Sequence, residues 1–258
     1  MKWYKVKALI FRDFLIFIRS KWRLVEFFYF PVTTVIIWGL FALYTRKFTA
    51  ETGLMVLVVN VFWSFSYICQ STVNLQMNED IWSGSLKQVL ASGISEFEYI
   101  FSRIISSALI SMIVMVIMLF VAGYFGFPVK DKLPPILFLT GITLLGSVAL
   151  SVIIAAFIIF LGRDYAFLAW TILQLFILLS APLFPVEILP PVLQVVAFFM
   201  PFTKLFVGIR ELTGKGMVSS KTLVESAGVA FIYLCFSFPL YFRAFKRAKL
   251  TGRLVKMT

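Results

Sequence analysis

The chain has no histidine, only two cysteines, and half as many acidic residues as basic ones, 12 Asp and Glu against 24 Lys and Arg. Without histidine, the commonest metal ligand and the commonest general base are missing. Cys69 and Cys235 both lie in apolar runs. They read as small buried hydrophobes, with neither a disulfide framework nor zinc spacing around them. Charge of either sign is also scarce: charged residues are 14% of the chain and hydrophobic ones 61%. Soluble proteins carry about 25% and roughly 45–50%. What is present instead is phenylalanine, 30 in 258 residues, more apolar area than a small globular surface can hide. An ordinary soluble domain is excluded, and an integral membrane protein of one domain, residues 1–258, is the direct reading. The charged N-terminal stretch has no early uncharged core, so it does not read as a cleaved signal peptide.

A helix needs about 20 apolar residues to cross a hydrocarbon layer ~30 Å thick. Six stretches qualify, 25–44, 54–73, 101–126, 134–161, 165–181 and 222–242, of which the fifth is short. Six spans put both termini on one side, and the bases decide which. With both termini cytoplasmic, the two basic tails (1–23 and 243–258) plus Lys87, Arg103 and Arg163 place 16 of the 24 bases inside. Arg46, Lys47, Lys130, Lys132, Lys204, Arg210, Lys215 and Lys221 fall outside. This bias fits a multi-pass protein of the cell membrane with both termini in the cytoplasm. The tails then read as contacts to anionic lipid heads, not as a nucleic-acid surface.

Residues 182–221 separate the last two spans. The segment 188–209 is apolar enough to cross, but Pro201 and Lys204 would sit in its interior, and a central lysine costs about 2.5–3.5 kcal/mol. A seventh crossing would also put one basic tail outside. The sequence predicts two short re-entrant helices, broken at Pro201 and dipping in from the outer face. Pro185, Glu187, Pro190 and Arg210 belong to that outer segment. Irregular backbone at such depth must pack on protein or line a cavity.

Two amphipathic stretches stand apart from the spans. In residues 1–23, Trp3, Tyr4, Val6, Ile10, Phe11, Phe14, Leu15, Phe17 and Ile18 share one side of a helix. Lys2, Lys5, Arg12, Asp13 and Arg19 lie opposite, while Lys7, Leu9 and Ile16 break the pattern. This fits a helix lying in the membrane interface. In residues 78–100, Ile81, Trp82, Leu86, Val89 and Leu90 gather on one half of a helix, and Asp80, Ser83, Gly84, Lys87 and Gln88 on the other. This short cytoplasmic helix is either an interfacial loop with a solvated face or a docking element for a soluble partner. Glu79 and Asp80 would accordingly stabilise a helix N-terminus or meet that partner.

Polar groups inside spans point to function unless they bond between helices. The candidates are Asn60, Ser64, Ser66 and Gln70 in span 2 and Gln174 in span 5, with the interhelical reading preferred for Ser64 and Ser66. Trp38, Trp63, Tyr67 and Trp170 add aromatic surface. Such a surface suits an amphiphile, lipid or drug-like, although sugar polymers stack on the same rings.

Four features in order resemble the membrane subunit of a type-2 ATP-binding-cassette (ABC) exporter. They are the basic helix KWYKVKALIFRDFLIFIRSKWR, six spans, the segment NEDIWSGSLKQVLASGIS after span 2, and FPVEILPPVLQVVAFFMPFTKLFVGIREL before the last span. Met200 departs from the asparagine that many members carry before the proline corresponding to Pro201. The resemblance implies an all-α permease that binds no cofactor itself, with ATP and Mg held by two copies of a separate ATPase subunit. It implies a second copy of the permease, or a homologous one, across a two-fold axis. It also implies that Glu79, Asp80, Trp82, Gly84, Leu86 and Lys87, with the loop Gly162, Arg163 and Asp164, couple to the ATPase. Trp38, Asn60, Trp63, Tyr67, Gln70 and Gln174 are the candidates for the path. No phosphate-binding loop is present: GIRELTGKG has five residues between its first two glycines and lacks Ser or Thr after Lys215. A polysaccharide-export permease is the nearest alternative, and a membrane scaffold or membrane-embedded enzyme is the alternative of another class.

The topology is open to a direct check. In a cysteine-free background, single cysteines at positions 87 and 5 are expected to resist an impermeant thiol reagent added outside intact cells, and cysteines at 130 and 215 to react. Outside labelling at position 87 would remove the docking reading.

Overall fold

A backbone in hydrocarbon finds no water, so a chain this apolar must close its hydrogen bonds within helices. The computed structural model describes residues 1–45 and 50–251, except for the side chains of Ala50 and Arg163. The expected outer bases Arg46 and Lys47 and the tail bases Arg253 and Lys256 lie outside the described residues. Every regular element among the described residues is helical. They are α1 (Trp3–Arg19), α2 (Lys21–Leu24), a π-helical turn (Val25–Tyr29), α3 (Phe30–Thr45), α4 (Ala50–Trp82), α5 (Ser85–Ala91), α6 (Glu96–Tyr124), α7 (Leu133–Leu161), α8 (Leu168–Leu179), α9 (Pro191–Phe199), α10 (Thr203–Gly214) and α11 (Ser220–Leu250), with two short 3-10 turns, Arg163–Tyr165 and Val186–Ile188.

Five units among the described residues are long and apolar enough to cross a membrane: Lys21–Thr45, Glu51–Trp82, Glu96–Tyr124, Leu133–Leu161 and Ser220–Leu250. The stretch 165–181 gives a helix of only 12 residues, α8, about 18 Å long at 1.5 Å per residue. It still carries the chain from one end of the bundle to the other. At its start Asn78 Nδ2 donates to the Ala166 carbonyl at 3.2 Å and Gln70 Nε2 to the Ala169 carbonyl at 3.0 Å. Beyond its finish Arg210 Nη1 donates to the carbonyls of Ala181 and Pro182, at 2.8 and 3.2 Å. The expected fifth span is thus a short helix extended by turns, while five helical units are long enough to cross by themselves.

Polar contacts mark the two ends. Lys132 Nζ donates to the Leu212 carbonyl at 2.8 Å, which joins the start of α7 to the end of α10. At the opposite end Lys249 Nζ meets Glu96 Oε2 at 3.0 Å, joining the end of α11 to the start of α6. Between these levels α9 and α10 meet at a bend of 90°. Phe202, at the bend, abuts Gly146 near the middle of α7, whereas Gly208 abuts Leu139 near its start. The pair thus dips inward and returns to the same end, as Pro201 foretold. Its broken backbone is satisfied by protein groups: Thr203 Oγ1 donates to the Ala197 carbonyl at 2.5 Å, and Tyr233 OH to the Phe199 carbonyl at 2.9 Å.

Two sequence expectations are corrected. On α1 the buried residues are Val6, Leu9, Asp13 and Phe17, which form one stripe against α6. Leu9, which broke the pattern, is inside, while Trp3, Phe11 and Phe14 are exposed. Asp13 belongs to the buried stripe and not to a solvated face. The helix packs one stripe on protein and leaves apolar side chains exposed on the rest, so a two-sided wheel mis-sorts it. Cys69 is buried as expected, but Cys235 is exposed, on the outer surface of α11.

Close approach of α3 depends on a missing side chain. A Cβ at Gly39 would overlap the ring of Phe125, itself a buried residue. Gly39→Val is expected to lower stability by about 1–3 kcal/mol through overpacking, seen as an earlier thermal transition in detergent. Combined with Phe125→Leu it should cost less than the sum of the two single changes. Additive losses would show that the pair does not share the space.

Candidate functional site

An ion cluster lies where α1, α4, α5 and α6 meet. Arg103, on α6, reaches Asp13 on α1 through Nη1 and Asp80 on α4 through Nη2. All three are nearly closed to solvent, at 2%, 1% and 6% exposure. Isolated charges there would be prohibitive, so each carboxylate has further donors. Asp80 accepts from Tyr99 OH at 2.8 Å, Ser85 Oγ at 2.8 Å and Arg12 Nη2 at 3.0 Å. Asp13 accepts from Ser106 Oγ at 3.2 Å, and Gln76 Oε1 accepts from Arg103 at 3.3 Å. Nearby, Ser95 and Glu98 form a capping box at the start of α6, and the backbone N–H of Lys2 donates to Glu98 Oε1 at 2.6 Å. The start of α1 is thereby tied to the turn that opens α6.

The cluster changes the reading of residues 78–100. They are not one amphipathic helix. The last turn of α4 ends at Trp82, the chain turns at Ser83 and Gly84, and α5 begins afresh at Ser85. Gly84 has φ 71°, a left-handed conformation that favours glycine. The break resets the helical phase, so side chains on either side of it cannot share the expected wheel. Asp80, placed on the solvated half, is buried. Trp82, grouped with Leu86, is exposed and separated from it. Leu86 packs in a cluster with Ile81, Tyr99 and Ile100, and Val89 and Leu90 pack against it. Glu79 caps no helix start; it lies in the last turn of α4 and pairs with Arg23. Gly162 and Asp164 lie at this same end, because the turn Arg163–Tyr165 packs on α4 and Asn78 bonds to Ala166. The side chain of Arg163 lies outside the described residues.

Beside the cluster, a cavity of about 810 Å³ opens between α2, the π-helical turn, the start of α3, α4 and α8. Its wall follows α4 from Trp82 back to Asn60, about 33 Å of helix. Of the six path candidates, Asn60, Trp63, Tyr67 and Gln174 line it, together with Ser64 and Trp170. Trp38 and Gln70 do not. Trp38 packs edge-on against Phe41, and Gln70 is buried against α8 through its bond to Ala169. Ser66 bonds to Ser147 of α7 at 2.7 Å, between helices. The end of the cavity nearest the ion cluster is polar, with Arg23, Glu26, Gln76 and Glu79 in the wall. Sequence reasoning passed over Glu26 as a residue at a span end. Its signal was an acid followed at once by an aromatic run. GIRELTGKG forms part of α10 and the turn after it, with no strand leading into a phosphate-binding loop.

Removing Arg103 would leave the two buried carboxylates with Arg12 alone, 3.5 Å from Asp13 and 3.0 Å from Asp80, a loss of about 3–5 kcal/mol. Arg103→Leu is therefore expected to unfold early in detergent and to expose α1 to limited proteolysis. Adding Asp13→Asn and Asp80→Asn should restore much of the stability. A single variant as stable as the parent, or a triple variant worse than the single, would contradict the cluster's structural role.

The comparisons with known proteins bear on the whole arrangement. No individually curated protein matches the chain significantly. A family model described as ABC-2 family transporter protein matches residues 28–245. That range begins in the π-helical turn, continues through the cavity and the re-entrant pair, and ends in α11. With this coverage of its membrane helices, the chain belongs to the ABC-2 family of transporter proteins.

Proposed function

We propose that the protein is the permease subunit of an ABC exporter for an amphiphile, working with two copies of a separate ATPase and a second permease subunit. Membership of the ABC-2 family makes it a membrane transport component and implies an ABC ATPase partner. The amphiphilic substrate rests on one observation: the cavity wall combines charged groups, Arg23, Glu26 and Glu79, with a series of aromatic rings, Trp22, Trp63, Tyr67, Trp82 and Trp170. A molecule with a polar head and an apolar body matches that mixed lining. Both termini and α5 would face the cytoplasm, consistent with the excess of bases at that end, and the re-entrant pair would face outward. ATP and Mg would be held by the partner.

In this reading the surface formed by α5 and the neighbouring loop with Gly162 and Asp164 meets the ATPase. Leu86 seats α5 in the apolar cluster, and the Ser85–Asp80 bond ties its first residue to α4. Movement imposed on α5 is thereby passed to α4, which forms one wall of the cavity, and through Arg103 to α1 and α6. Gln88 and Asp164 are exposed and available for contact. Gly84 is a poor probe of that surface, since a side chain there acts first on the left-handed backbone.

The reading is tested by reconstituting the permease with its cognate ATPase and measuring transport per ATP hydrolysed. Gln88→Trp should reduce copurified ATPase by more than half. Leu86→Ala should retain the ATPase but lower transport per ATP several-fold, because it loosens the seat and spares the exposed side. If both variants bind and transport like the parent, α5 is only an interfacial loop.

A further inference from the structure

We propose that the cavity selects a cationic amphiphile, with Glu26 as the charge that recognises its head; this deepens the permease reading and rests on it. The charged residues in the wall are Arg23, Glu26 and Glu79, one positive against two negative. They are not equivalent. Arg23 is committed to Glu79 through an ion pair. That leaves the Glu26 carboxylate, half-buried, with no hydrogen bond or ion pair among the described residues, although Arg23, one turn earlier, still acts on it electrostatically. An ionisable group left unpaired in a span is costly and marks a place where a counter-charge is brought from elsewhere.

The surroundings of Glu26 suit a cation. Farther along the same wall Asn60 Oδ1 is buried without a donor, a second acceptor for a hydrogen-bonding group on the body of the molecule. Trp63, Tyr67 and Trp170 offer ring faces, which attract cations more strongly as water is excluded. Glu26 itself lies in the π-helical turn Val25–Tyr29. Such turns insert an extra residue into a helix, re-aim the side chains around it, and are frequent at functional sites. An anionic head would have to take Arg23 from Glu79 while facing Glu26, so the same wall that accepts a cation opposes an anion. The volume, about 810 Å³, lies within the range of ~300–1,000 Å³ usual for small-molecule sites.

Tetraphenylphosphonium and tetraphenylborate have nearly the same size and shape and opposite charge, which isolates the sign. Binding of each to the purified permease in neutral detergent micelles is measured by equilibrium dialysis, corrected with protein-free micelles. Tryptophan quenching provides a second readout. The phosphonium is expected to bind about tenfold tighter or more, as one close charge in a partly dry site implies. Glu26→Gln should bring the two affinities within about twofold of each other, and Glu26→Asp should keep the preference. Equal or tighter binding of the borate, binding of neither ion, or a preference that survives in Glu26→Gln would overturn the proposal. The ratio on the unaltered protein decides the matter even if Glu26→Gln does not fold. ATPase copurification separates the two readings. A permease that holds its ATPase but favours the anion keeps its function and loses this substrate class, whereas failure to hold any ATPase counts against the permease reading alone.

Discussion

Arg103 sits between Asp13 and Asp80, and the cytoplasmic-side architecture proposed here depends on that placement. Three charges withdrawn from water are tolerable only together, with Arg12, Tyr99, Ser85, Ser106 and Gln76 supplying the remaining contacts. The cluster fixes where α1 lies, because Asp13 cannot leave α6 without stranding a buried charge. It also fixes where α5 begins, because Ser85 bonds to Asp80. An apolar interface would hold these helices as firmly but would allow them to slide. Charges with directed partners define one register.

At the other end the controlling constraint is the backbone. The bend between α9 and α10 exposes carbonyls at a depth without water, and Thr203 and Tyr233 supply the donors. Arg210 does the same where α8 stops, holding Ala181, whose φ of 49° is rare for a residue with a side chain. Short α8 and the re-entrant pair thus support one another. Their arrangement leaves α8 free to form one wall of the cavity, with Trp170 and Gln174 facing α4.

Much of this was legible in the residues, though unevenly. Long apolar runs gave the spans, because crossing hydrocarbon imposes a length that few other segments meet. Pro201 and Lys204 marked the re-entrant pair, since neither belongs inside a crossing helix. Asn60, Trp63, Tyr67 and Gln174 were found because polar or amphipathic groups in a span are conspicuous. Gln70 was equally conspicuous but is spent on an interhelical bond. Trp82 and Asp80 were mis-sorted for one reason: a wheel drawn through Gly84 assumes a continuous helix, and the chain turns there.

The sequence by itself determined the membrane class, the long apolar helices, the two amphipathic stretches and the break at Pro201. These follow from composition and from local backbone rules, which act within a few residues. Only the tertiary structure decided that Asp13 and Asp80 share Arg103, that Arg23 is claimed by Glu79, and that Glu26 is left unpaired in the cavity wall. Asp13 and Arg103 are 90 positions apart, and Arg23 and Glu79 are 56 apart. Whether a charge is paired depends on which helices meet, and no local pattern encodes that.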